Sequence, residues 1–208
     1  MGNTAHAGML SLPPATSSLV LFAHGSGSSR FSRRNKYVAD VLNQAGIGTL
    51  LFDLLSEEED RDYQQRFDVE MLAERLEEAT LWVASSQSGL EELSLGYFGA
   101  STGAAAALMA ASYVPQHIRA VVSRGGRPDL ASNSLARVAA PTLLIVGGND
   151  LQVLQLNQMA FELLRAEKAL EIVSGATHLF EEPGTLEQVA KLASAWFHRF
   201  LNATPDSK

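Results

Sequence analysis

Six short apolar runs punctuate the chain, at residues 19–23, 49–55, 93–98, 118–123, 142–146 and 170–173. Each is nearly continuous in hydrophobicity, rich in β-branched or aromatic residues, and bounded by Gly, Pro or Ser. That is the pattern of a strand buried on both faces. Between the runs lie stretches with a helical period. Asp68 stands where it can cap a helix whose apolar stripe is Leu72, Leu76, Ala79 and Val83. Thr185 and Gln188 have the spacing of a capping box ahead of Leu186, Val189, Leu192, Trp196 and Phe200. Strand and helix signals in alternation predict an α/β fold, a mostly parallel sheet covered by helices on both faces. Residues 9–12 offer a further edge strand. No repeat, linker or second composition regime divides residues 1–208, so one domain is expected, with residues 1–8 and 202–208 as flexible ends.

Composition narrows the partners. The 208 residues are 46% hydrophobic and 19% charged, an ordinary globular balance. A formal net charge of −7 gives no reason to expect nucleic acid or an anionic membrane surface as a partner. With no cysteine, disulfides, thiolate metal sites and a cysteine nucleophile are excluded together. The first 14 residues show no basic region followed by an apolar run, and His6 stands where a myristoylation motif beginning at Gly2 wants Ser or Thr. The apolar runs are too short to span a bilayer. A soluble, cytoplasmic protein is expected, without metal or cofactor. The acidic run Glu57, Glu58, Glu59 and Asp60 lacks ligand spacing and reads as an exposed loop.

In a parallel sheet, ligands bind beyond the carboxyl ends of the strands, so the residues just after each run matter most. After residues 93–98 comes Gly99-Ala100-Ser101-Thr102-Gly103, then the helix-forming stretch 104–111. This is G-x-S-x-G between a strand and a helix, where a serine on a strained turn requires small neighbours two residues to either side. A serine hydroxyl needs a general base to take its proton. Of the five histidines, only His24 and His178 follow strands, and His178 lies between the last strand and the last helix. The base in turn needs an acid to orient it. Asp150 follows run 142–146 through Gly147-Gly148-Asn149, which lets the loop bend toward His178; Asp129, one strand earlier, is its rival. For the oxyanion, Thr102 supplies one backbone N–H and the loop His24-Gly25-Ser26-Gly27-Ser28 a second, with Ser26 as the candidate donor. That loop does not read as a phosphate cradle, because G-x-G-x-x-G would need glycine at Arg30 and no G-K-[ST] exists.

Taken together, His24-Gly25, Gly99-x-Ser101-x-Gly103, Gly148-x-Asp150 and Thr177-His178 resemble the dienelactone-hydrolase-like branch of the α/β-hydrolase superfamily, from about Met9 to Phe200. The resemblance implies an α/β-hydrolase fold and a Ser101–His178–Asp150 triad. Named dienelactone hydrolases carry a cysteine nucleophile and a glutamate after the equivalent early strand, where this chain has Ser101 and His24. Serine members of the branch resemble carboxylesterases, so hydrolysis of a small ester through an acyl-enzyme is the expected activity. Lactone, thioester or amide cleavage on the same machinery is the alternative, and a non-catalytic ligand receptor is a third.

Three rim residues are candidates for touching substrate: His24, Arg124 and Arg127. A guanidinium there could hold a carboxylate bidentately or brace the loop by pairing with Asp129. Arg30, Arg33, Arg34 and Lys36 read as a solvated helix entrance. Only residues 124–141 separate the fifth and sixth strands, including any edge strand, which leaves room for one short helix and no cap domain. An open site favouring short acyl chains follows.

Overall fold

The computed structural model describes residues 7–202. The expectation of flexible ends falls outside that range except at residues 7, 8 and 202, and Gly8 already belongs to a strand. Seven strands form one sheet: β1 (Gly8–Ser11), β2 (Ser18–Ala23), β3 (Gly48–Phe52), β4 (Ser94–Ala100), β5 (Ile118–Arg124), β6 (Thr142–Gly147) and β7 (Lys168–Val173). Their order across the sheet is β1-β3-β2-β4-β5-β6-β7. Only β1 runs antiparallel, pairing Met9 with Leu51; the other neighbours are parallel.

The helices are α1 (Arg33–Gln44), α2 (Val69–Val83), α3 (Thr102–Tyr113), the single turn α4 (Ser132–Leu135), α5 (Leu151–Leu163) and α6 (Thr185–Leu201). Strand side chains alternate between two cores. Leu21, Tyr97, Val121 and Leu144 face α2, α3 and α5, whereas Val20, Phe22, Phe98 and Val122 face α1 and α6. Helix α3 is almost entirely buried and made of small residues, Ala104 to Ala107 among them, which allows it to lie close against the central strands. Asp68 caps α2 as expected, its Oδ1 accepting the Met71 N–H at 3.0 Å.

Two local expectations change. The capping box at Thr185 does not form. Gly184 takes the cap position at φ 81°, and the Thr185 hydroxyl donates instead to the Glu182 carbonyl at 2.7 Å. Run 170–173 is not buried on both faces. As the outer edge strand, β7 leaves Ile172 48% exposed. The short link between β5 and β6 holds only a 3₁₀ turn (Pro128–Ala131) and α4, so no cap domain is inserted there.

The chain moves outward from β2 to β3, then returns to β4 and proceeds the other way. The sheet's topological switch point therefore lies between β2 and β4, where crevices form in open α/β sheets. Ser101 follows β4 and the His24-Gly25 loop follows β2, so both stand at that point.

Candidate active site

Ser101 turns the chain from β4 into α3 with φ 53° and ψ −122°, a left-handed backbone that a non-glycine residue adopts only when the surroundings enforce it. Its N–H donates to the Arg124 carbonyl at 3.2 Å, and its carbonyl accepts from the Arg127 N–H at 3.1 Å. The flanking glycines are there for want of space. A Cβ on Gly103 would stand 2.2 Å from the Ala23 carbonyl oxygen, and one on Gly99 2.4 Å from the Ala104 Cα. Strand, turn and helix are thus locked together with Ser101 half-buried at the apex.

His178 reaches that hydroxyl from the loop after β7. Its Nε2 lies 3.3 Å from Ser101 Oγ, and its Nδ1 lies 2.7 Å from Asp150 Oδ2. Asp150 occupies the cap position of α5 but makes no side-chain cap bond, so its carboxylate is given to His178. The two loops meet closely: a Cβ on Gly147 would stand 2.4 Å from the Ala176 carbonyl oxygen. Glu182 pins the histidine loop, accepting from the Thr177 N–H at 3.1 Å and from its hydroxyl at 2.6 Å. Hydrogen bonding to Thr177 holds the Glu182 carboxyl below its ordinary range. The rival acid is elsewhere engaged. Both Asp129 oxygens accept from Arg127, at 2.8 and 2.7 Å. The Asp150 side chain is 15% exposed and that of His178 37%, so the acid is shielded while the base faces solvent.

Of the expected oxyanion donors, the Thr102 N–H is the first of α3, where helix donors have no intrahelical acceptor. The Ser26 N–H is nearby but already donates to the Thr102 hydroxyl at 2.8 Å. The rim residues separate into three fates. His24 is 6% exposed and both ring nitrogens serve the backbone: Nε2 accepts the Leu54 N–H at 3.0 Å, and Nδ1 lies 3.1 Å from the Gly25 carbonyl. Burial keeps its pKa below the ordinary value, with the Gly25 bond opposing. Both nitrogens are thus engaged with the backbone, and His24 braces the loop after β2. Arg127 is taken by Asp129, a contact that raises its pKa. Arg124 has no such partner.

The basic cluster is also more than solvated surface. Arg30 pairs with Asp53, and Arg34 with Glu181 at 3.0 Å. The acidic run is partly neutralised, Glu59 pairing with Arg75 and Asp60 with Arg66. Among the described residues no group of His, Cys, Asp and Glu could hold a metal ion, and no helix is long and apolar enough to cross a membrane. A cleft of about 410 Å³ is lined by His24, Ser28, Arg30, Asp53 and Glu57 but not by Ser101.

Comparison with known proteins bears on the family and the fold. The family profile described as "Alpha/beta hydrolase domain" matches residues 16–196. This chain belongs to the α/β-hydrolase family. Within the family it is dienelactone-hydrolase-like. The α/β hydrolase is 53% identical to a dienelactone hydrolase from Anabaena variabilis of known structure, with a TM-score of 0.92 over 96% of this chain and 94% of that one. A lidless α/β serine hydrolase from Xanthomonas campestris shares the fold at 21% identity and a TM-score of 0.75, covering 96% of this chain and 91% of that one. Over 191 residues, 92% of this chain, it is also 60% identical to a protein of Mycobacterium tuberculosis named putative phosphoribosyl transferase. The match spans 43% of that curated relative's length.

Proposed function

We propose that this α/β hydrolase is a serine hydrolase that cleaves small carboxylic esters through an acyl-enzyme on Ser101. The observation that carries the reading is the hydrogen-bonded line Ser101 Oγ, His178 Nε2, His178 Nδ1, Asp150 Oδ2, set on a strained turn at the switch point of the sheet. Ser101 attacks the ester carbonyl while His178 Nε2 takes the hydroxyl proton, then returns it to the departing alcohol oxygen. Asp150 holds the Nδ1–H tautomer and stabilises the imidazolium without taking the proton. Water, activated by the same histidine, attacks the acyl-enzyme and releases the acid.

During each attack the carbonyl oxygen becomes an oxyanion, which the Thr102 N–H meets at the head of α3. The Ser26 N–H joins it by exchanging its bond to the Thr102 hydroxyl for one to the oxyanion. Solvent-facing His178 and the absence of a cap favour short acyl chains, which need no apolar tunnel to bury them. The name of the mycobacterial relative covers a protein of which this chain matches less than half.

The test is stopped-flow hydrolysis of 4-nitrophenyl acetate. The expected result is a burst of one nitrophenolate per folded chain, then steady turnover, with both lost in Ser101→Ala. Full activity in Ser101→Ala would overturn the reading.

A further inference from the structure

Thr102 is the first residue of α3 and is 3% exposed, yet its hydroxyl uses only part of its hydrogen-bonding capacity. The oxygen, Oγ1, accepts the Ser26 N–H at 2.8 Å. The hydroxyl's own hydrogen goes to no acceptor among the described residues. A threonine further along a helix can give that hydrogen to the carbonyl three or four residues back. Thr80 does so in α2, donating to the Leu76 carbonyl at 2.8 Å. At the head of α3 the residues three and four back, Gly99 and Phe98, still belong to β4, so that helical outlet does not exist. A buried donor without a partner costs stability and calls for a reason.

The place of this hydroxyl supplies one. It links the two backbone donors expected for the oxyanion, being bonded to the Ser26 N–H and carried on the residue that bears the other. The loop after β2 is pressed onto the serine turn. A Cβ on Gly25 would stand 3.1 Å from both the Ser101 Cβ and the Ala100 carbonyl oxygen. A turn closed by the Ser28 N–H on the Gly25 carbonyl at 3.1 Å, with Gly27 at φ 66°, holds the Ser26 amide in this position. The Ser101 side chain makes no cap bond to α3, so it does not compete for the donors at the head of the helix.

We propose that the Thr102 side chain is a further catalytic group, its hydroxyl giving the oxyanion a third hydrogen bond beside the Thr102 and Ser26 N–H groups. This rests on the hydrolase reading above and deepens it. At rest the hydroxyl oxygen stands in for the oxyanion as the acceptor of the Ser26 N–H, so the amide is already aimed before substrate arrives. When Ser101 attacks, the Ser26 N–H passes to the newly charged oxygen. The hydroxyl then turns its own O–H to the same oxygen, a rotation about one bond that needs no movement of the backbone. No proton is transferred in this step: the O–H bond stays intact, and the gain is a hydrogen bond to an ionised acceptor in a buried place, stronger than one between neutral groups.

The experiment compares the parent with Thr102→Val, which keeps the branched shape without the hydroxyl, and Thr102→Ser, which keeps the hydroxyl. Thermal melts check folding, and Thr102→Ala takes the place of Thr102→Val if that variant does not fold. With 4-nitrophenyl acetate, Thr102→Val is expected to lower kcat by roughly 10–150-fold, the worth of one hydrogen bond to a charged group, and to change KM by less than about threefold. Thr102→Ser is expected to recover most of the lost rate. The second readout is a trifluoromethyl ketone, which adds to Ser101 and leaves an oxyanion on the ketone carbon. Its Ki should rise in Thr102→Val by the factor that kcat falls, because both report the charged oxygen. An unchanged or faster kcat in Thr102→Val would show that the hydroxyl only obstructs the Ser26 N–H, and would overturn the proposal. Equal losses in Thr102→Ser and Thr102→Val would overturn it too, since shape and not the hydroxyl would then matter. Either result with an active parent leaves the hydrolase reading standing. A parent that neither hydrolyses the ester nor binds the ketone would remove that reading and this proposal with it.

Discussion

Replacing Asp150 by Asn keeps the shape of the side chain 2.7 Å from His178 Nδ1 and removes its charge. The carboxylate accepts Nδ1–H, which leaves Nε2 bare to take the Ser101 proton. An Asn amide can turn its own N–H to Nδ1, which moves the ring proton to Nε2 and blocks the base. In a serine protease the same exchange costs about ten-thousand-fold in kcat, or about 5.4 kcal/mol at 1.36 kcal/mol per tenfold. Asp150 is 15% exposed, so little water is at hand to replace the lost charge, and a loss of about 10³–10⁴ is expected here. Asp129 provides the control. Its ion pair with Arg127 is part-exposed, at 27% and 37%, and such pairs contribute roughly 0–1 kcal/mol. Asp129→Asn should therefore keep kcat within about tenfold of the parent, one decade being about 1.4 kcal/mol. The assay is kcat/KM for 4-nitrophenyl acetate, with folded fraction matched by thermal melts. A crippled Asp129→Asn beside an active Asp150→Asn would refute the assignment of the acid.

Two further outcomes follow from packing and burial. Gly103→Ala places a methyl 2.2 and 2.3 Å from the carbonyl oxygens of Ala23 and His24, both rigid backbone. Overpacking of this kind should cost about 3 kcal/mol or more, read as a fall in Tm of roughly 6–12 °C, and an unchanged Tm would contradict the close approach of turn and strand. His24 is buried as the neutral ring with its pKa lowered from 6.5, so the unfolded chain takes up a proton that the fold resists. Its contribution to stability is complete above about pH 6.5 and is lost as pH falls through the lower folded value. Urea midpoints between pH 7.5 and 5 should drop more steeply for the parent than for His24→Gln, and parallel profiles would show that His24 is not the group concerned.

Much of this was legible along the chain because it depends on local constraints. Buried strands need continuous apolar runs, and a serine turn wedged between strand and helix tolerates only glycine at positions 99 and 103. The order Ser101, Asp150, His178 placed each residue after its own strand, and the structure brings all three into one line. What stayed hidden was pairing between distant residues. Nothing near His24 says that its Nε2 accepts the N–H of Leu54, thirty residues on. Arg124 and Arg127 look alike in sequence, yet Asp129 occupies one and leaves the other free. Arg34 read as a solvated charge because its partner, Glu181, lies 147 residues away. Glu182 gave a fainter signal, an acid five residues after the Thr177 that it holds. The misplaced cap at Thr185 came from reading Thr and Gln spacing alone, when the left-handed Gly184 just before it ends the loop.

The most direct test of the account is the identity of the residue that a fluorophosphonate labels. Only a hydroxyl backed by a general base attacks phosphorus at a useful rate, and among the serines described, Ser101 has a histidine nitrogen 3.3 Å from its Oγ. Tryptic mapping should place one adduct per chain on Ser101, slowed in Asp150→Asn and absent in Ser101→Ala. An adduct on any other serine, or none on a folded protein, would contradict it.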